Sequence, residues 1–423
     1  FSNLQPGDYE VKVEGSGFGG KTLPVRVTVG TKTTVDVALD VTGSGEVVDV
    51  VAGDQGVQVN TENQVLSTVV NEKQIRELPT ITRNPYALVQ LAGTAVAVDP
   101  EAQDPNTTAS DRGAGFNING QRSASTNVLL DGADNNDTYS SDIGNAVPLD
   151  SVQEFTVLTN NFSAEYGRAG GGVVNVATKA GTNEFHGTIY EFNRVSALAT
   201  ESANLKGQFV PSEKGVFTRN QFGYSVGGPI LKDKVQFFQS TEWLRVRSQD
   251  TAIALVATPE FIAQTPANVQ AFFAPFSLGP SSPGRVFTVG DIGGTPGGPF
   301  ASLPSSLPAF QEVFYTLPAD AGGGFPQDQY QIVGRGDWNI SDRTTMYGRY
   351  AYQNLTFAQG ALSFSPYAGF NSPSITKNHN FLVSMTHVWS DNFVSQSKFA
   401  FSRVANDQPL AEQPATPSLY LQQ

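Results

Sequence analysis

Between Asn183 and about Val404 the chain alternates apolar and polar positions with a period of two. In Asn220–Ile230, Phe222, Tyr224, Val226 and Ile230 fall on one face, and Gln221, Gly223 and Ser225 on the other. In Gln331–Ile340, Ile332, Trp338 and Ile340 alternate with Arg335, Asp337 and Asn339. In His379–Trp389, Phe381, Val383, Met385 and Trp389 alternate with Asn380, Ser384 and Thr386. A period of two predicts strands whose faces meet different surroundings. The connections alternate as well. Leu231–Lys234, Ser341–Arg343 and Ser390–Asn392 are tight, whereas Arg194–Thr218, Gln249–Gln329 and Thr356–Lys377 are long, polar and rich in Gly and Pro. A soluble sandwich gives no reason for that alternation. An antiparallel transmembrane β-barrel does, with lipid outside, water inside and the short turns periplasmic; roughly seven of its strands precede Gln423. The three tight turns are expected at one edge, with Phe222, Tyr224, Trp338 and Phe381 facing away from the lumen.

Upstream the pattern is different. From Gly115 to Gly187, turn signals such as Asn119-Gly120 and Asp131-Gly132 interrupt short apolar runs, including Gly171-Gly-Val-Val-Asn-Val-Ala-Thr178. A compact β-rich module leading straight into barrel strands suggests a domain folded inside the barrel. Two helices are predicted before it. One runs over Asn71–Leu78, with Asn71 as N-cap and Pro79 as the stop; the other opens at Asn84-Pro85 and ends near Gly93. Residues Val98–Gly113 read as polar loop. Residues 1–43 hold strand candidates at Tyr9–Val13, Leu23–Val29 and Thr33–Leu39, the remnant of an antiparallel β-sandwich. The fold is therefore expected to be mainly β: a partial sandwich (1–43), a Gly-flanked linker (44–53), an α+β domain (54–180) and an incomplete barrel (181–423). The chain opens at Phe1 inside a β-like pattern, without an initiator Met or signal peptide, and reads as a piece of a longer protein.

Composition narrows the choice of function. Charged residues are 15%, aromatics reach 10%, and Gly (42) and Pro (25) are plentiful, as in a loop-rich β protein. A net charge of −13 excludes nucleic acid as a partner, because no basic surface is available to neutralise phosphates. Cys is absent, so neither disulfides nor thiolate metal sites are available. No apolar run approaches the roughly 20 residues of a membrane-spanning helix.

Signals of chemistry are weak. Gly223-Tyr-Ser-Val-Gly227 matches G-x-S-x-G, but a nucleophile elbow needs a strand-to-helix turn and this match lies within a strand pattern. His379 and His387 share the apolar phase of another strand, and His186 reads as a structural hydrogen-bonding group. Asp131, Asp134, Asn135, Asp137 and Asp142 lack the spacing of a calcium loop and read as solvated turns. Gly167–Gly172 fits no phosphate-binding or dinucleotide pattern. No enzyme activity, metal or cofactor is indicated.

The ordered motifs resemble those of TonB-dependent outer-membrane receptors, most closely the Oar-like group with an N-terminal carboxypeptidase-regulatory-like domain. In the first half they are Leu78-Pro79 with Arg83-Asn84, Asn119-Gly120-Gln121-Arg122, and Leu130-Asp131-Gly132 with Asn135. Val152-Gln153-Glu154-Phe155, Ala164-Glu165-Tyr166-Gly167-Arg168 and Thr178-Lys179 with Gly181-Thr182-Asn183 follow. In the barrel they are Asn220-Gln221-Phe222-Gly223, Gly227-Gly228-Pro229-Ile230, Lys232-Asp233-Lys234 and Phe237-Phe238, and Leu4-Gln-Pro-Gly-Asp-Tyr-Glu10 carries the N-terminal resemblance. The resemblance implies a plug domain lodged in a 22-stranded barrel, of which about a third is present here. It also implies residence in the lipid of the outer membrane, an extracellular substrate, and the periplasmic C-terminal domain of TonB as partner. The run Glu46-Val47-Val48-Asp49-Val50-Val51 lies where such receptors carry the TonB box, a strand added to the partner through main-chain hydrogen bonds; the alternative is the first plug strand.

The plug motifs have a physical reading too. Asn119-Gly120 suits a tight hairpin turn, and Asp131 and Asn135 can hold neighbouring backbone amides as Asx turns. Glu154, Glu165, Arg168 and Lys179 are expected in or beside a water-lined lumen, where carboxylate–guanidinium pairs hold the plug yet can rearrange. Driven transport through the barrel is the expected function. A surface-binding or adhesion protein using the long loops, and a conduit for protein secretion, are the alternatives.

Overall fold

The computed structural model describes residues 7–27, 65–97, 116–200, 215–293, 300–361 and 365–409, apart from a few single positions, together with scattered positions between 33 and 39. At the N-terminus, β1 (Gly7–Val13) and β2 (Lys21–Val27) pair antiparallel from Gly7↔Val27 to Val13↔Lys21. Of the strand expected at Thr33–Leu39, the described positions Thr33, Val35, Val37, Ala38 and Leu39 belong to no strand, and the linker 44–53 lies outside the described residues.

The first domain builds on β3 (Leu66–Asn71), α1 (Glu72–Glu77), β4 (Ala95–Ala97), β5 (Phe116–Ile118), β6 (Thr126–Leu130), β7 (Ala133–Asp134), β8 (Val152–Asn160) and β9 (Gly172–Thr178). Its sheet has the order β3-β8-β9-β6-β7, with β6 and β9 parallel. Every residue of β6 and β9 is buried, which explains their continuous apolar runs where an alternating pattern would suit a one-sided sheet. Helix α1 starts as expected: the Asn71 side chain accepts from the Gln74 amide at 3.0 Å, and the Gln74 side chain accepts from the Asn71 amide at 3.1 Å. The second helix is a 3-10 helix over Pro85–Ala92, capped by Asn84 and closed by Gly93 at φ 72.

From His186 the chain forms one antiparallel meander. Its strands are β10 (His186–Val195), β11 (Val216–Leu231) and β12 (Val235–Ala257), then β15 (Gln327–Ser341), β16 (Thr344–Phe357), β17 (Ser374–Ser390) and β18 (Phe393–Arg403), paired in that order. The three tight turns share one edge. The Asn339 amide donates to Lys234 O at 2.7 Å, and the Val388 amide donates to Arg343 O at 2.8 Å, stitching each turn to the next. Exposure follows the predicted faces: Tyr224, Trp338 and Phe381 are exposed while Gln221, Ser225, Arg335, Asn380 and Ser384 are buried.

The segment 249–329 is more ordered than a plain polar loop. β12 continues to Ala257 and pairs there with β14 (Pro308–Leu317), which pairs in turn with β13 (Ser282–Thr288); α2 (Pro259–Ile262) and α3 (Ala267–Phe273) lie between. A short β19 (Asn406–Asp407) returns to β17. No helix of the described residues is long and apolar enough to cross a membrane, which says nothing of strands.

One apolar core joins the two large domains. Val70, Ile75, Val89, Ile118, Leu130, Phe155 and Val174 pack together, and Val333 of β15 and Ala351 of β16 reach into the same cluster. The first domain therefore sits against the inner, polar-spaced face of the meander.

Candidate functional site: the junction between plug and wall

Sequence local to Leu130–Ala133 creates the centre of the junction. Asp131 and Gly132 adopt φ 54 and φ 76, the paired positive values of a type I′ turn, and Leu130↔Ala133 closes the β6–β7 hairpin around them. Gly132 takes φ 76 without strain, and Lys398 Nζ of β18 lies 2.8 Å from where a Cβ would stand. The turn aims the Asp131 carboxylate at the wall. The side chain is 3% exposed, so it is buried in an ion pair where a solvated turn was expected.

Two wall arginines receive it. Arg349 of β16, 0% exposed, donates through Nε to Asp131 Oδ2 at 2.9 Å, and Arg335 of β15 lies 3.8 Å from Oδ1. Arg335 and Arg349 stand directly opposite each other on paired strands, an arrangement that repels unless an anion lies between them. Asp131 supplies that anion from the plug, and Asp337 holds Arg335 from the other side at 2.8 Å.

The remaining donors are also satisfied. Arg349 donates to Leu130 O at 3.0 Å and to Asn380 Oδ1 at 2.6 Å, while Arg335 donates to Thr178 O at 3.0 Å and covers the Tyr347 ring at 4.3 Å. The Thr178 amide and hydroxyl donate to Asp131, so its carboxylate bonds β9 and the wall and not the neighbouring amides of an Asx turn. Residues 134–146 extend the seam. Asn380 donates to Asn135 Oδ1 at 3.3 Å, Asn145 donates to Asn378 O at 3.1 Å, and the Ala146 amide donates to Gln353 Oε1 at 2.9 Å. Asn135 is fully buried and donates to Tyr86 Oη at 3.4 Å; burial raises the pKa of that phenol and keeps it neutral.

A second link uses Arg83, which sits at φ 56. Its guanidinium donates to Asp150 of the same domain, lies 3.8 Å from Glu242 of β12, and covers the rings of Tyr190 at 4.7 Å and Phe192 at 4.1 Å. Glu242 accepts in addition from Tyr190 Oη at 2.9 Å and Gln221 Nε2 at 2.8 Å. A plug cation thus neutralises a wall carboxylate here, the reverse polarity of the Asp131 link.

The other motif residues are distributed unevenly. Lys179 pairs with Glu72 at 2.8 Å, and Arg168 with Asp134 at 3.1 Å across an exposed surface. Glu165 and Arg122 are exposed, and Tyr166 is half-buried against Phe162. Glu154 is 2% exposed inside the plug sheet. Among the described residues the plug–wall ion pairs are made by Asp131 and Arg83, whereas Arg168 and Lys179 pair within the plug. Asn84 caps its helix, accepting from the Tyr86 amide at 3.0 Å. Asn119-Gly120 forms a turn with φ 54 and 70, the Gln121 amide donating to Ile118 O at 3.0 Å. It does not join a hairpin, because a 3-10 turn at Ser123–Ser125 follows β5, and the hairpin turn is Asp131-Gly132.

Gly223-Tyr-Ser-Val-Gly227 lies within strand β11, and Ser225 bonds Thr188 at 2.8 Å. His379 and His387 lie in β17, bonded to Tyr350 and Thr344, and His186 lies 3.0 Å from Glu184 O. The run Glu46–Val51 lies outside the described residues.

Comparison with known proteins agrees with this geometry. The family described as TonB-dependent Receptor Plug Domain matches residues 59–174, and Outer membrane beta barrel domain matches 177–422. The TonB-dependent transporter Oar of Myxococcus xanthus is 27% identical over 246 residues, covering 56% of this chain and 22% of Oar. The probable TonB-dependent siderophore receptor PirA of Acinetobacter baumannii is 29% identical over 150 residues, 33% of this chain and 18% of PirA. Among solved structures, the outer membrane transporter YddB from Escherichia coli superposes with a TM-score of 0.51 at 13% identity, covering 81% of this chain and 39% of YddB. The chain spans only those shares of its relatives. With a plug and an outer-membrane barrel in succession, it belongs to the TonB-dependent receptor family of the outer membrane.

Proposed function

We propose that the full-length protein is a TonB-dependent transporter of the Oar-like kind, in which TonB pulls on Glu46–Val51 and thereby loosens the plug from the wall. The observation that carries this reading is the polarity of the junction. Asp131, Arg335 and Arg349 form a buried link whose partners belong to different domains, and each partner has further hydrogen bonds that keep it in place. Such a link holds firmly at rest and gives way as a unit when its turn is displaced. In this reading the plug is residues 54–180, the barrel begins at 181, and residues 1–43 belong to a carboxypeptidase-regulatory-like domain. The protein has no catalytic role, needs no cofactor, and takes its substrate from the extracellular side.

The box assignment predicts a large effect. Val48→Pro and Val50→Pro together remove two main-chain donors and the extended pairing that strand addition requires. Binding of the full-length protein to the TonB C-terminal domain, measured by calorimetry, is expected to fall below detection while the plug stays folded. Undiminished binding would mean that the box lies elsewhere. Ligand binding that is unchanged and shows no dependence on TonB would instead favour a surface-binding protein.

A further inference from the structure

We propose that the segment 320–324 is an autoinhibitory strap: seated in the outer mouth of the lumen, it holds the Arg83 turn of the plug through Arg219 of β11, and the plug loosens when the strap lifts.

The segment joins β14 to β15 and folds onto the lumen side of the wall. Phe217 and Arg219 of β11 share the strand phase of the buried Gln221, and Ser248 of β12 shares that of Glu242; all three are buried. The Ala321 amide donates to Ser248 Oγ at 2.8 Å. Arg194 of β10 donates to Gly322 O and Arg219 to Gly323 O, each at 3.2 Å. Arg194 and Arg219 stand directly opposite each other on paired strands, so two guanidinium groups grip consecutive carbonyls of the strap.

Glycine lets the segment lie this close. A Cβ at Gly323 would stand 2.5 Å from the Phe217 ring, and Gly322 and Gly324 take φ 105 and 96. A run of glycines alone would be loose, but this one is fixed on both sides. Asp320 Oδ1 accepts from the Gly322 and Gly324 amides at 2.7 and 2.8 Å, which folds the strap on itself. Downstream, Phe325 packs against Leu355, Phe357 and Ala361 at the outer end of β16.

Arg219 holds the plug as well as the strap. Its Nη1 serves Gly323 O, and its Nη2 donates to Thr82 O at 3.3 Å. Thr82 precedes Arg83, whose guanidinium meets Asp150 and Glu242 in the second link of the junction. One buried guanidinium thus spans an outer loop, the wall and the plug turn that carries Arg83. With the strap seated, Gly323 O fixes the guanidinium plane and so the nitrogen offered to Thr82 O. With the strap lifted, that side of the guanidinium opens to water, and the side chain gains rotamers that do not reach Thr82 O. Strap seating and plug docking therefore stabilise each other, and the coupling is reciprocal. Arg219 is a positioning residue in this device. The strap rests on the transporter reading for what the release serves, but its test uses neither TonB nor substrate, so the two fail separately.

The test is hydrogen exchange in the full-length protein in nanodiscs. Gly323→Val drives a side chain into the Phe217 ring and lifts the strap. A thrombin site in place of 320–324, cut after the protein has folded, severs the strap outright. In both, the Tyr86 and Ala87 amides, which are bonded to Asn84, are expected to exchange about five- to fiftyfold faster, while the paired amides of β15 and β16 stay as protected as in the wild type. Arg219→Gln should loosen Tyr86 and Ala87 to the same extent. Adding Gly323→Val to Arg219→Gln should then change their exchange by no more than about twofold, because the strap acts through Arg219. Unchanged protection at Tyr86 and Ala87 in the severed protein overturns the proposal. Fully additive effects of Gly323→Val and Arg219→Gln overturn it too, as does equal loosening of β15 and β16, which would make the strap a brace of the wall alone.

Discussion

Replacing Asp131 with alanine is expected to weaken docking of the plug against the wall by about 3–5 kcal/mol, the cost of leaving buried charge without its partner. The size follows from burial and register together. Arg349 is 0% and Arg335 4% exposed, and the two stand opposite each other on paired strands with Asp131 between them. Asp337 still neutralises Arg335 in the variant, but Arg349 then keeps only neutral partners, Leu130 O and Asn380. Hydrogen exchange in the full-length protein provides the measurement. Amides of β6 and β9 that are protected in the wild type should exchange about a hundred- to several thousandfold faster in the variant. Adding Arg349→Met to Asp131→Leu is expected to restore most of that protection, because an apolar pair of similar size leaves no charge stranded. Strictly additive losses in the double variant would show that the two side chains do not act on each other.

The barrel part of this architecture was readable in the sequence because each strand carries its own evidence. Period-two alternation in Asn220–Ile230 and His379–Trp389 needs no knowledge of the neighbouring strand, and the lipid and water faces emerged as expected. The helix start at Asn71 was equally local, since its capping box lies within four residues. The ionic junction was less legible. Asp131 and Arg349 are 218 positions apart, and no local pattern says which carboxylate meets which arginine. A usable signal did exist: Arg335 and Arg349 are full cations on the lumen-facing phase of otherwise alternating strands, where a compensating anion must be found in the plug. Motif position points instead to Glu154, Glu165, Arg168 and Lys179. Sheet position instead buried Glu154 inside the plug and left Glu165 and Arg168 in solvent. The order in 249–329 was hidden for another reason. Its strands β13 and β14 extend β12 beyond the alternating stretch, so no amphipathic period announces them.

Arg83 offers the second large effect, and its backbone makes the prediction sharper. Arg83→Met is expected to destabilise the docked plug by about 3–5 kcal/mol, since it strands Asp150 and Glu242, whose side chains are 10% and 6% exposed. Arg83→Gly loses the same guanidinium but relieves the positive φ of 56, and should therefore be less damaging by about 1–2 kcal/mol. Glu242→Gln should cost least of the three, because a side-chain amide can still bond Tyr190 Oη and Gln221 while Arg83 keeps Asp150. Urea midpoints for plug undocking in the full-length protein, followed through a fluorophore on the plug, give the ranking Met, then Gly, then Gln from most to least damaging. If Glu242→Gln proved as damaging as Arg83→Met, the charge on the wall and not the plug arginine would be what holds this side of the junction.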